Sequence, residues 1–321
     1  MVKILVFDTE TTDKPPKIPF SNWDERQQFD ASLLKPEHLE SSWSQVFNGQ
    51  RVLDQWPSIL QLSYILYDTD HPENTKIFNK YIDIPDNIVI SEGSIDIHHI
   101  TREKIQSAPN RATIDQALKE FIDDVKLAEL VIAHNAQFDR KMVVSELLRM
   151  GKDPNSQDLT DMLNDANFEC TMTETTQICN LKYRQNYFDK KTGEPKFFYK
   201  TKSPQLREAY KHFFGYEPTG DALHDALVDV VVCLRIFCKY KYQIDICGEN
   251  TMITDYIMAI SPKGYTCPDK ITKGGKRSKS NKSNSSKSNK SSKSNKSSRS
   301  NKSNKSSKSK KSKKTKSKTK K

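Results

Sequence analysis

The chain has 321 residues, 35% of them apolar, a length that allows one large domain or two small ones. Its formal charge of +11 belongs to one end: 21 of the 52 Lys and Arg, and no Asp or Glu, lie from Lys273 to Lys321, leaving 31 bases against 41 acids, net −10, over residues 1–272. The high pI is therefore no mark of a basic folded domain, and the lack of an 18-residue apolar run, of a CxxC pair and of regular Cys/His spacing argues against a membrane span, a zinc site or a disulfide framework.

The first predicted element is Ile4-Leu-Val-Phe7, an apolar run that reads as a buried strand and ends in Asp8 and Glu10. Strand alternation puts positions 8 and 10 on one face, so two like charges project together and call for a cation. Residues 14–56 are polar and aperiodic and read as an insertion, with a short helix possible over Glu37–Phe47. Ile59–Asp68 and Thr75–Asp83 read as paired strands around the turn Asp70-His-Pro-Glu-Asn74, giving a three-stranded antiparallel meander with the first strand. Ile114, Leu118, Phe121, Ile122 and Val125 recur at helical spacing, and Ala128–His134 reads as another buried strand.

Three helices follow: Phe138–Met150 stopped by Gly151, Pro204–Phe214 stopped by Gly215, and one from about Asp221 to Tyr240. Asp139 falls in the first turn of the first, as acids commonly do. The last helix is almost solidly apolar after Asp229, and a carboxylate there wants a partner. His224 lies five residues ahead on the same predicted helix, and Asp225 reads as a solvated first-turn acid. Strands followed by alternating helix and strand indicate an α/β domain with a mixed sheet. His134, at a strand end, reads as structural.

Phe7-Asp-Thr-Glu-Thr-Thr12, His134-Asn-Ala-Gln-Phe-Asp139 and His224-Asp-Ala-Leu-Val-Asp229, in this order, resemble the three motifs of the DEDDh exonucleases. Pro57-Ser-Ile-Leu-Gln-Leu62 and Ile97-His-His-Ile-Thr101 are similar to smaller family elements. The resemblance covers residues 1–240 and implies a ribonuclease H-like mixed β-sheet flanked by helices. It also implies a 3′-to-5′ exonuclease releasing nucleoside 5′-monophosphates from DNA or RNA. Two Mg²⁺ or Mn²⁺ ions would be held by Asp8, Glu10, Asp139 and Asp229, an oxygen-only donor set, with His224 as general base. Thr9 and His98 match positions that line the terminal nucleotide pocket. The implied partner is a nucleic-acid 3′ end, single-stranded, and relatives add a second copy or a polymerase. Three departures stand out: Asp13 where relatives often have Gly, the segment before Pro57, and His99 in place of the Gly of an Ile-His-Gly-Ile-Thr element. The reading of a different class is a catalytically silent module that binds nucleic acid or a partner.

Between the second and third motifs, Tyr183–Lys190 and Lys196–Lys202 read as a hairpin around Lys191-Thr-Gly-Glu194. Its aromatics alternate with bases, a composition that stacks nucleobases, or equally an amphipathic hairpin packed on the domain. Residues 241–272 form a C-terminal extension without an assignment, of which Lys241–Cys267 reads as ordered. The Lys/Ser/Asn repeats from Lys273 are expected to be disordered, serving as a nucleic-acid tether or without function. With all six cysteines read as reduced, the expected location is intracellular, cytoplasmic or nuclear, and not secreted.

Overall fold

The computed structural model describes residues 2–219 and 225–268, all within one compact unit, Met1–Ile271. His224 and the tail from Lys273 lie outside the described residues. In chain order the strands of the main sheet are β1 (Lys3–Thr11), β2 (Ile59–Asp68), β3 (Lys76–Ile82), β4 (Arg111–Ala112), β5 (Leu130–Ala133) and β6 (Phe168–Cys170). They lie side by side in the order β4-β3-β2-β1-β5-β6. The β1/β2 and β2/β3 pairs are antiparallel, while β1/β5, β5/β6 and β3/β4 are parallel. The meander and the parallel flank are both present, and the α/β class expected from the sequence is the class observed.

The central strand explains its own composition. Leu5 and Phe7 point into one core, Ile4 and Val6 into another on the opposite face, so all four are buried. The first core is covered by α1 (Trp23–Ser32), α3 (Ile114–Val125) and α4 (Ala136–Arg149), and α2 (Glu92–His98) is tied to the end of β1 through His98 and the Thr11 carbonyl. Helix α3 begins at a Thr113/Gln116 capping box and buries Leu118, Phe121 and Ile122. The second core lies under α7 (Ala226–Tyr242) and α8 (Thr251–Ala259). Between α4 and α7 come α5 (Thr171–Cys179), the strands β7 (Lys182–Asp189) and β8 (Glu194–Thr201), and α6 (Leu206–Phe214). Among the described residues no helix is long and apolar enough to cross a membrane.

Two segments that the sequence left without a packing role join the cores, and two sequence expectations change. Within residues 14–56, Leu33, Leu34, Leu39, Trp43, Val52 and Trp56 are buried in the first core, and Trp43 Nε1 donates to the Leu33 carbonyl at 2.9 Å. Residues 241–268 pack as well, with Ile246, Ile253 and Ile257 in the second core and the fully buried Arg235 bound through two nitrogens to Asp245 at 2.8 Å each. Cys247 and Cys267 form a disulfide within this segment, Cα–Cα 5.3 Å, so not every cysteine is a free thiol. A spacing of 20 residues carried no sign of it; α8 lies between the two, and the chain that follows this helix returns Cys267 to Cys247. Finally, α7 starts at Ala226 rather than near Asp221, because Asp225 is an extended N-cap whose carboxylate accepts from Leu227 N–H at 3.0 Å.

Candidate active site

The site forms where β1 ends. Asp8 and Glu10 share the face of Ile4 and Val6, the face covered by α7, and Asp229 on the first turn of α7 meets them. One carboxylate oxygen of each of the three lies within 4.8 Å of the other two. Strand pleat and helix cap thus produce the convergence: two acids at i and i+2 from the strand, one from a helix start laid across it.

Asp139 arrives from the other side. Helix α4 covers the face toward which Thr9 points, and Asp139 Oδ1 accepts from Thr9 N–H at 3.1 Å and Thr9 Oγ at 2.8 Å. It is buried and close enough to raise the proton affinity of Asp8 and Glu10. The structure therefore joins Asp8, Glu10 and Asp229 as one carboxylate cluster and holds Asp139 beside them on a Thr9 clamp. Asn135, at positive φ (72°), turns the chain from β5 into α4 and so sets the position of Asp139.

Burial is the largest cause of the electrostatic stress, mutual repulsion the second. Both hold the Asp8 carboxyl well above the usual range. They raise Glu10 to about 9 and, against the Thr9 hydrogen bonds, Asp139 to about 7. A hard divalent cation is the group that relieves such a set, and three carboxylate oxygens within reach of one point are the donors it takes. The donor chemistry fits Mg²⁺ or Mn²⁺ and is poor for zinc, which takes nitrogen and sulfur.

Sequence reading missed a polar strip beneath these acids. Gln61 and Ser63 sit opposite Glu10 and Asp8 in the β1/β2 register, are fully buried, and both donate to Asn79 Oδ1, at 2.9 and 3.0 Å. Gln61 also reaches the cap of α7, donating to Asp225 Oδ2 and accepting from Ala226 N–H, each at 3.4 Å. Two polar residues at alternate positions inside an otherwise apolar strand were the available signal. Asp225 itself faces the cluster and adds to its repulsion, so it is not a solvated bystander.

Of the remaining expected residues, Thr9 and His98 are buried with their polar atoms engaged. His98 Nε2 donates to the Thr11 carbonyl at 3.1 Å, and Nδ1 accepts from Ile100 N–H at 3.0 Å. His134 bridges Thr171 Oγ and the Pro204 carbonyl, and burial lowers its proton affinity to a pKa of about 4, so it stays neutral. Two cavities open on either side of Asn135. One, of about 660 Å³, is walled by Lys14, Lys17, Trp23, Arg26 and Phe138; the other, of about 510 Å³, by His134, Pro204, Arg207 and Asp229.

No curated protein sequence matches the chain. Among solved structures it is similar to E. coli exonuclease I in complex with a dT13 oligonucleotide, at 14% identity and TM-score 0.44 over 81% of this chain and 46% of that one. It is similar to the cell-death related nuclease 4 (CRN-4), at 14% identity and TM-score 0.41 over 75% of this chain and 64% of that one. It is also similar to the nuclease domain of 3′hExo, a DEDDh family member bound to rAMP, at 15% identity and TM-score 0.43 over 76% of this chain and 93% of that one. The chain spans less than half the length of the exonuclease I chains it matches. A family model described as exonuclease, RNase_T, matches residues 47–237, a range that includes Asp139, Asp225 and Asp229 and begins after Asp8 and Glu10. With most of its length matched by that model, and with motifs that resemble the DEDDh exonucleases, this chain belongs to the RNase_T exonuclease family.

Proposed function

We propose that the chain is a divalent-cation-dependent 3′-to-5′ exonuclease that shortens single-stranded DNA or RNA by one nucleoside 5′-monophosphate at a time. The observation that carries this reading is the meeting of Asp8, Glu10 and Asp229 within 4.8 Å at the end of β1, in a chain of an exonuclease family. These three residues would hold the cation, with Asp139 serving through the oxygen that Thr9 leaves uncommitted. Bound there, the cation would supply Lewis-acid polarisation of the phosphate and a more acidic water.

The chain's own groups do the rest. The Thr9 clamp holds the Asp139 carboxylate toward the cluster, and Gln61 anchors the cap that sets Asp229 one turn further on. Thr9 and His98, whose polar atoms serve the frame, would shape the floor under the terminal nucleotide. His224, immediately before Asp225 in the chain, would accept the proton of the attacking water at an imidazole nitrogen, a role open to a histidine general base. Lys14, Lys17 and Arg26 at the larger cavity would offset the charge of the incoming strand.

A 5′-labelled single-stranded oligonucleotide with Mg²⁺ tests the reading. Expected is a ladder that shortens from the unlabelled end, lost in Asp8→Ala and in Asp229→Ala. Persistence of the ladder in both variants, or release of the label as a mononucleotide at the outset, overturns it. Running DNA, RNA and a mismatched duplex end side by side identifies the preferred polymer. His224→Ala should lower the maximal rate by about 10²–10⁴-fold with metal binding intact.

A further inference from the structure

The β7/β8 hairpin is the region whose chemistry the proposed reaction leaves unused. It does not pack on the domain: Tyr183, Tyr187, Phe188, Phe197, Phe198 and Tyr199 are all exposed, Phe188 and Tyr199 at 65%. The pairing register places Tyr183, Tyr187 and Phe198 on one face with Lys196 and Lys200, and Phe188, Phe197 and Tyr199 on the other with Lys182 and Arg184. Each face therefore repeats one pattern, flat rings separated by cations. Ring centroids are 5.8 Å apart for Tyr187/Phe198 and 5.9 Å for Phe197/Tyr199, and the Arg184 guanidinium lies 4.0 Å over Phe197.

We infer that this hairpin is a stacking arm for single-stranded nucleic acid, carrying the strand that lies upstream of the bond being cut. Three observations choose that occupant. Charge is the first: residues 182–202 hold seven bases and two acids, net +5, while the other residues of 1–272 hold 24 bases and 39 acids, net −15. The arm is a concentrated positive patch on a body that is acidic in sum, as a polyanion ligand requires. Composition is the second: residues 182–201 contain six aromatics and no Leu, Ile, Val or Met. Protein-docking surfaces are depleted in Lys, whereas stacking platforms for single strands need rings and cations and little else.

Continuity is the third. The root is fixed by the Lys202 N–H to Leu181 carbonyl hydrogen bond, and the chain runs directly from β8 through Ser203, Pro204 and Arg207 along the wall of the cavity that contains Asp229. An eight-residue strand pair spans roughly 26 Å at about 3.3 Å per residue. Such a length accommodates about four nucleotides, the lower end of single-strand site sizes. The direction of the strand rests on the proposed function; binding to the arm does not.

The test is fluorescence anisotropy on the full chain with labelled oligo(dT) and oligo(U) of about 20 nucleotides, in EDTA so that nothing is hydrolysed. Two variants each strip one face, Tyr187→Ala with Phe198→Ala, and Phe197→Ala with Tyr199→Ala. A control, Met252→Ala with Met258→Ala on α8, removes exposed apolar groups from another element. Thermal melting checks that each variant is folded. Expected is a loss of affinity of about tenfold or more in at least one face variant, because each stacked base contributes substantially. That loss should persist from about 0.1 to 0.3 M salt with an unchanged log–log slope, as removal of stacking rather than of cations predicts. Parental affinity in both folded face variants overturns the inference and leaves a protein partner as the occupant to seek, and a loss equal to that of the α8 control overturns it too. Absence of hydrolysis in the experiment on the proposed function would not bear on this measurement.

Discussion

The end of β1 and the β7/β8 hairpin break the ordinary sorting of residues in opposite ways. At the first, four carboxylates are drawn into a protein-walled site, and the repulsion among them is held by packing on both sides of the sheet. At the second, six aromatic rings are left in water on an arm with no apolar face against the domain. The insertion 14–56 shows the ordinary sorting at work: its leucines, Trp43 and Trp56 pack into the first core and its charges stay outside, while Trp23 is left exposed at a cavity wall. Segments that look alike in composition therefore divide by whether the fold consumes their apolar groups, and the unconsumed ones are where a ligand is needed.

The largest expected effect sharpens that contrast. Trp43→Ala in the insertion, a buried indole with a hydrogen bond, should destabilise by about 3–5 kcal/mol in urea titration. Tyr199→Ala on the arm should stay within about 0.5 kcal/mol. A large loss at Tyr199 would mean that the hairpin is structural after all.

The acid cluster gives the next effect, read without metal. Glu10 and Asp139 have proton affinities raised to about 9 and about 7, so the folded protein binds these protons more tightly than the unfolded chain, whose carboxyls titrate near 4. Their favourable contribution is complete below about pH 4 and is lost as pH rises through about 7 and then 9. The melting temperature in EDTA should therefore fall across that interval, and Mg²⁺ should raise it most at the alkaline end. Asp229→Asn should flatten the decline, recovering roughly 2–4 °C for each 1 kcal/mol of repulsion removed. A pH-independent melting temperature in EDTA would show that the carboxylates are not in conflict.

The smallest effect concerns a departure from sequence rules with no ligand attached. His99 stands at φ 55°, left-handed, at the exposed end of α2, where the resembling motif has Gly. His99→Gly should add about 0.5–1 kcal/mol of stability by removing the Cβ clash. Unchanged oligonucleotide affinity would mark this misfit as tolerated strain, unlike the two regions above, and a drop in affinity would move His99 into the binding surface.

Much of this arrangement was fixed locally. Alternation placed Asp8 and Glu10 on one face, the apolar run before them announced a strand buried on both sides, and the helical repeat from Ile114 to Val125 located α3. Those features depend on neighbours within a few residues, which a sequence displays. Long-range packing settled the remainder: that Thr9 rather than a strand acid holds Asp139, that Gln61 and Asn79 seat the cap of α7, that Cys247 meets Cys267, and that one polar segment is absorbed while another stands clear. Each of these joins residues brought together only when the two cores close on the sheet, and no local pattern encodes which distant surface a side chain will meet.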